Sequence, residues 1–310
     1  MLIRQQAFGG QEKMLKGNLH CHTARSDGDF SAEEVIKNYV DGGFDFLCLS
    51  DHYIYNYDNF GNQPITIIPG MEYDCDDQEE WGAPIHSFHI VCIGPSEKDG
   101  NGFRQDEVTP AGKAKTQEEL QPYLDDIHRK KNLTILAHPH WSSTPTREIE
   151  NIQGLTAMEI WNSGAAYWHD MDTDAIYWDE LLTRGHRIYG VATDDAHGNP
   201  VFCKGWIRVR AENNINSILE AIREGRFYSS CGPEIYDFYV EDNYAVLECS
   251  PVAKIRMHRN LHPNYLERKE GITSVRFHLG KCPETIRYIR MSVVDAEGRC
   301  AWTNPIWLND

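Results

Sequence analysis

Long hydrophobic runs are missing from this sequence. Its apolar stretches are as short as Ile90-Val91-Cys92-Ile93, against the ~20 residues that a membrane-spanning helix needs. Residues 1–18 likewise lack the continuous apolar core of a signal peptide. Positive charge is scarce, with 30 Lys and Arg against 47 Asp and Glu, a formal net charge of −17. That balance argues against nucleic-acid polymers and anionic membranes as partners, because both need a basic footprint. It leaves small anionic substrates open, since these answer to the local field. The nine cysteines are odd in number, scattered and without a CxxC pair, so a disulfide framework is not expected and the chain reads as cytoplasmic. Internal repeats, low-complexity tracts and long linkers are also absent.

The 310 residues exceed a usual single domain of about 100–200 residues and suit a barrel with a small appendage. Hydrophobic residues at 41% and charged residues at 25% mark an ordinary globular chain and not a disordered one. A short run over 16–21 ends at His20-Cys21-His22 and gives way to a polar, turn-rich loop. Ser31 and Glu34 form a capping box ahead of Val35, Ile36, Tyr39 and Val40 at helical spacing, and Gly42-Gly43 ends that helix. The apolar run 44–49 predicts a buried strand ending at Ser50-Asp51-His52. Strand, helix, strand is a βαβ unit, which implies parallel strands.

The same alternation predicts strands at 65–72, 88–94, 133–137, 154–161 and 188–192, with helices at 117–131, 175–183 and 213–224. Residues 95–115 read as a long surface loop with the character of an active-site lid. After about residue 230 only short strands broken by turns remain, at 236–240, 244–248, 254–257, 274–278 and 289–294. The expected fold is α/β: a barrel-like unit over 1–230 and a small C-terminal antiparallel, β-sandwich-like module over 231–310.

Histidine is the informative residue. There are 14, 11 of them before residue 200, and five of these stand where predicted strands stop. His20, His22, His52, Glu72, His138, Asp195 and His197 all stand at such ends. In a parallel α/β barrel these ends converge on one face, where the loops build the site. Alternation along a strand puts i and i+2 on one side, so the His20/His22 and Asp195/His197 pairs each aim two donors into the same mouth. Imidazole and carboxylate are ligands of Zn, Mn and Fe, and a Glu can bridge two ions. Closely spaced ions acidify bound water and clamp both the attacked group and the leaving oxygen. His89 opens its strand instead of closing it, and so falls outside the strand-end rule.

Six segments then stand out in order: HCHTARSDG at 20–28, LSDH at 49–52, GME at 70–72, HIVCIG at 89–94, LAHP at 136–139 and ATDDAH at 192–197. Together they resemble the PHP (polymerase and histidinol phosphatase) superfamily over residues 15–230. The resemblance implies a metal-dependent phosphoesterase on a distorted (β/α)7 barrel. It implies a first metal on His20, His22 and Asp195, with Glu72 bridging to a second that also takes His89 and His138. It implies a third on Asp27, His52 and His197, with Asp27 where some trinuclear members carry histidine. It also selects His89 over the neighbouring His86. GRFYSSCGPEI at 225–235 and AWTNPIWL at 301–308 resemble a branch with a C-terminal β module, often named after carbaryl-hydrolysing metallohydrolases, which cleave a carbamate ester.

Other residues are weaker candidates. Arg25 and Lys204 flank the ligand loops and are candidates to hold a phosphate; His140 and Asn162, with Glu159, are candidates to line the mouth. Asp194 should face away from its neighbour Asp195. The remaining histidines, His169 among them, are expected to be structural or at the surface, and the aromatic cluster over 161–178 to be packing, with an aromatic wall for a base or aryl group as the alternative. The expected function is hydrolysis of a small phosphorylated molecule, a phosphomonoester or nucleotide phosphoester, on two or three divalent ions. A metal-bridging hydroxide is the expected nucleophile, with Glu72, Asp195 and His197 as the catalytic side chains, His197 serving as acid if the third ion is missing. The alternatives are a carbamate or carboxylic-ester hydrolase on the same metals, and a non-catalytic metal-binding scaffold.

Overall fold

The computed structural model describes residues 5–75, 87–171, 173–259, 264–280 and 285–308; His86 and His262 lie outside them. After an edge strand β1 (Gln5–Gln6) come β2 (Met14–Asn18), α1 (Ala32–Asp41), β3 (Phe46–Leu47), β4 (Thr66–Ile67), β5 (Gly70–Cys75) and β6 (Phe88–Ile93). Then follow α2 (Gln117–Arg129), β7 (Leu133–Leu136), β8 (Ala157–Asn162), α3 (Ser163–His169), α4 (Ala175–Arg184) and β9 (Tyr189–Thr193). The chain continues through β10 (Trp206–Arg210), α5 (Ile215–Arg223), β11 (Phe227–Ser230), β12 (Ile235–Glu241), β13 (Tyr244–His258) and β14 (Asn264–His278). It ends with β15 (Tyr288–Val294), β16 (Cys300–Thr303) and β17 (Ile306–Trp307).

The local signals act as their chemistry requires. Ser31 accepts from the Glu34 amide while the Glu34 carboxylate accepts from the Ser31 amide, which satisfies two donors that the start of α1 would otherwise orphan. Asn214 caps α5 in the same sense, accepting from Ser217. No helix among the described residues is long and apolar enough to cross a membrane.

The strands form two sheets. One runs β1-β12-β13-β15-β16-β11-β10-β2-β3-β4 and the other β5-β6-β7-β8-β9. These ladders do not close into a barrel, so the α/β class stands while the hydrogen-bonded ring expected from the sequence does not appear. The predicted strand 65–72 explains one gap. It runs through Pro69 and changes partner there: the Ile68 amide donates to Leu47 of β3, whereas the Pro69 carbonyl accepts from Gly94 beyond β6. Two isolated parallel bridges, Cys21 to Ala196 and His52 to Glu72, link the sheets.

The all-parallel expectation needs a second correction. β2–β3–β4 and β7–β8–β9 are parallel, but β6 is antiparallel to both β5 and β7. A reversed strand presents its first residues, not its last, at the face where its neighbours end. His89 therefore reaches the mouth from the start of its strand. The short helix α3, for which no helix was expected, is a third difference; Asn162 caps it by accepting from Ala165.

Inner faces of both sheets share one core, with Leu15, Phe46, Ile93, Ile135, Val191 and Ile207 among its residues. Helix α5 contributes Ile218, Leu219 and Ile222 to that core beside Leu133 at the start of β7, so it covers the end opposite the strand-end loops. The outer faces pack on α1 at one side and on α2 and α4 at the other.

The C-terminal strands are tied to α4 by a buried charge pair. Arg290 on β15, 1% exposed, donates to Asp179 through Nε at 2.7 Å and Nη2 at 2.5 Å, with its guanidinium over the Trp178 ring. Burial raises the Asp179 carboxyl and Arg290 and His258 overcome it, holding it well below the usual carboxylate range. Replacing Asp179 by Ala leaves an uncompensated buried cation and should cost about 3–5 kcal/mol in urea unfolding; a loss under ~1 kcal/mol would contradict the pair's role. His258 beside it is pushed by burial, and then by Arg290, from 6.5 to about 4. Between those values the unfolded chain takes up a proton that the folded chain refuses, so stability falls as pH drops through the window. A His258→Gln chain should show a shallower decline there than the parent in unfolding free energy against pH.

Candidate metal centre and active site

Each strand-end residue owes its position to a specific local structure. The loop after β2 is held by Asp51, which accepts from the Thr23 amide (2.8 Å), the Thr23 hydroxyl and the Ser26 hydroxyl (3.0 Å). Gly28 closes that loop because a Cβ there would lie 2.8 Å from the His22 backbone. His138 and Asp195 sit just past β7 and β9 with φ of +24° and +50°. Such left-handed residues cost of order 1–3 kcal/mol each and persist where surrounding contacts over-determine them. The Asp195 amide donates to the His20 carbonyl at 2.8 Å, and the His138 amide to Glu159 at 2.9 Å.

These turns gather the predicted ligands around one side chain. Glu72 is 1% exposed. Its Oε2 lies 3.1 Å from His20 Nε2, 3.1 Å from His22 Nε2 and 3.4 Å from His52 Nδ1. Its Oε1 lies 3.1 Å from His89 Nδ1 and 3.3 Å from His138 Nε2. Asp195 Oδ1 faces His20 and His22 at 3.2 and 3.1 Å, and Asp27 Oδ2 faces His52 and His197 at 3.5 and 3.3 Å. Three donor sets result: His20, His22, Glu72 and Asp195; Glu72, His89 and His138; and His22, Asp27, His52 and His197. A fourth set, His52 and Glu72 with Asp74, was not anticipated. Asp74 is two residues beyond Glu72 on β5, and the alternation that paired His20 with His22 applies to it equally.

The donor atoms suit cations better than one another. His52 Nδ1, Asp74 Oδ1 and Asp195 Oδ1 are buried without a hydrogen-bond partner among the described residues. Yet imidazole or carboxylate atoms stand 2.8–3.7 Å from them. His20 Nε2 and His22 Nε2 also face each other at 3.1 Å. Buried donor atoms left unsatisfied amid so many converging nitrogens and oxygens are what a multi-cation site requires, so the residues fit divalent metals bound by N and O.

The outer ring nitrogens are anchored. Nδ1 of His20 pairs with Glu159 at 2.7 Å, Nδ1 of His138 with the Ser142 hydroxyl at 3.0 Å, and Nδ1 of His197 with the Asp195 carbonyl at 3.1 Å. Such pairing fixes tautomer and ring direction. Burial pushes the His20 and His22 imidazoliums down, but the surrounding carboxylates outweigh it and hold both above the ordinary value. Glu72 and Asp195 are raised by burial and lowered more by the histidines, ending well below the carboxylate range. The cluster therefore favours carboxylates balanced by positive charge, and a cation entering it displaces protons.

A cavity of about 280 Å³ opens above the donors, lined by Asp27, His52, Glu72, His89, His138, Asp195 and His197 together with Trp141, Gly164, Ala165, Trp168 and His169. The four substrate candidates from the sequence are not in that lining. Arg25 is engaged with Asn56 (3.2 Å) and Asp106. His140 and Lys204 are exposed elsewhere. Asn162 is buried beneath the donors and gives both amide hydrogens to Glu159 (2.8 Å) and Asp195 (3.1 Å), while its oxygen caps α3. Asp194 faces away as expected. It accepts from Tyr39, Ser163 and the amides of Cys203, Lys204 and Gly205, and burial pushes it up to about 6. Trp141, Trp168 and His169 were missed because tryptophans in loops and short helices are usually packing.

No family model and no curated protein matches the chain. Among solved structures it is similar to a two-domain protein from Bacteroides vulgatus containing a predicted PHP-like metal-dependent phosphoesterase. That match has 13% identity over 95% of this chain and 96% of the other, with a TM-score of 0.50. Two further matches are an amidohydrolase from Chromobacterium violaceum (16% identity, 59% of this chain and 88% of that one, TM-score 0.40) and a proposed metal-dependent phosphoesterase from Bifidobacterium adolescentis (13%, 67% and 96%, 0.41). At these identities the likeness concerns the fold alone, and the chemistry rests on the donors themselves.

Glu159 offers a direct test. Its four acceptor positions are filled by His20 Nδ1, the Thr193 hydroxyl, the His138 amide and the Asn162 amide. In Glu159→Gln an NH₂ must face two donors, releasing His20 or His138. Metal affinity should fall about 10- to 100-fold, measured by calorimetric titration of metal-stripped protein with Mn²⁺ or Zn²⁺; unchanged affinity would rule out the anchoring role.

Proposed function

We propose that this protein is a metal-dependent hydrolase of small phosphorylated molecules. The carrying observation is the convergence of overlapping His and carboxylate donor sets on Glu72 at the floor of the cavity. His20, His22, Asp195 and Glu72 would hold one divalent ion, Glu72, His89 and His138 a second, and Asp27, His52 and His197 a third, with His22 near enough to contribute. Zn, Mn and Fe fit these donors. Bound there, the ions would polarise the ester and neutralise charge developing on its oxygens. We assign catalysis to residues 1–230, as a distorted (β/α)7 barrel, with 231–310 as the accompanying β module, and take the protein to be cytoplasmic.

The chain's own groups have distinct tasks. Glu72 and Asp195 keep the donors in register, and the carboxylate of Asp27, whose side chain is 53% exposed, bounds the cavity. In the reaction, water oxygen bonds to phosphorus, the phosphorus–oxygen ester bond breaks, and the departing oxygen takes a proton. Where the third ion is absent, His197 is suited to supply that proton, because its Nδ1 is held by the Asp195 carbonyl while Nε2 is directed to Asp27. Support for a phosphoester over a carbamate or carboxylic ester comes from the likeness in fold to a protein containing a predicted PHP-like metal-dependent phosphoesterase.

Metal-loaded protein should hydrolyse p-nitrophenyl phosphate or its bis ester in preference to 1-naphthyl N-methylcarbamate. His20→Ala and Glu72→Ala should each lower kcat/KM by at least about a thousand-fold, the scale of losing a group that stabilises the transition state. Preference for the carbamate would transfer the assignment to that class. Purified protein that binds no transition metal would leave a scaffold.

A further inference from the structure

Resting on the hydrolase reading, we infer that Trp141 and Trp168 form an aromatic clamp that selects substrates whose ester-bearing group is a flat, uncharged aromatic ring. Both indoles line the cavity, and both are unusually exposed for their size, at 42% and 43%. They stand beside different donor sets. The Trp141 ring lies 5.8 Å from that of His89 and 5.0 Å from that of His138, at 76° and 80°. Trp168 lies 6.3 Å from His197 at 68°. These steep angles keep the indoles from stacking on the histidines, so the rings wall the mouth instead of covering the donors.

Neither indole hangs on a slack segment. Trp141 is in a turn closed by the amides of Ser142, Ser143 and Thr144 on the carbonyls of His138, His140 and Pro139. It is braced by His169 at 6.0 Å. Trp168 and His169 belong to α3, whose cap is Asn162. Rigid aromatic walls reduce the ordering cost of stacking.

Charge points the same way. Among the described residues the cavity lining holds no Lys or Arg, and Arg25 is engaged with Asn56 and Asp106. A second phosphate or carboxylate on the substrate would find no Lys or Arg there and would meet Asp27. Recognition of the rest of the molecule therefore falls to the indoles, and a neutral ring suits them.

The test pairs benzyl phosphate with cyclohexylmethyl phosphate, whose alkoxide leaving groups are alike while one ring is flat and the other is not. Metal-loaded protein should favour benzyl phosphate by about ten-fold in kcat/KM, carried by KM, as one stacking contact allows. 4-Carboxybenzyl phosphate should lose that advantage. Trp141→Leu and Trp168→Leu should each bring the benzyl-to-cyclohexylmethyl ratio near one, and the corresponding Phe variants should restore it. Calorimetric titration with benzylphosphonate and cyclohexylmethylphosphonate reads the same preference without turnover. Aromatic-selective binding with no hydrolysis would keep the clamp and remove the hydrolase reading. Equal binding of the two phosphonates, or binding of neither, would overturn the clamp, as would a preference that survives both Leu substitutions.

Discussion

Glu72 is a fully enclosed carboxylate with five imidazole nitrogens within 3.4 Å. An isolated buried carboxylate would be strongly disfavoured, and so would each buried histidine charge. Together they form a balanced cluster that tolerates neither loss of the carboxylate nor dispersal of the histidines. The five rings come from the ends of β2, β3, β6 and β7 or the loops beyond them. The positions of those strands are therefore tied to one side chain. The positive φ at His138 and Asp195, and the four bonds that fill Glu159, are the local means by which the framework meets that demand.

The two ends of the inner core divide the labour. At one end α5 contributes apolar side chains and seals the interior. At the other, strands stop short of full closure, and polar loops carry the donors. The change of partner at Pro69 and the reversal of β6 disturb the regular alternation on the side where Glu72 and His89 approach each other. A uniformly parallel arrangement would have presented the far end of β6 to the site, and His89 would have been displaced along the strand. Away from the site, the Arg290–Asp179 pair fastens the C-terminal strands to α4, so the β module reinforces the wall that holds β8 and β9.

Much of the framework was legible because it depends on local chemistry. Ser31 and Glu34 announce α1, and compact apolar runs announce β6 and β7. The ligand types were legible for the same reason: His20, His22, His52, His138, Asp195 and His197 each follow a run whose strand character is visible in sequence, whereas Glu72 lies inside β5. Asp74 was within reach of the same alternation but was overshadowed by Glu72. Trp141, Trp168 and His169 were not, since no periodicity separates an indole at a cavity mouth from one in a core. Arg25 and Asn162 show the converse. Their chemistry suits a substrate, but their neighbours had already engaged them.

The sequence by itself determined the α/β class, the helix caps, the acidic surface and the inventory of donors, because those follow from residue type and spacing over a few positions. Only the tertiary structure decided the direction of β6, the partner change at Pro69, the hub position of Glu72 and which polar groups face the cavity. Those outcomes depend on contacts between segments tens to hundreds of residues apart, where a donor's partners, and not its identity, determine what remains available to a ligand.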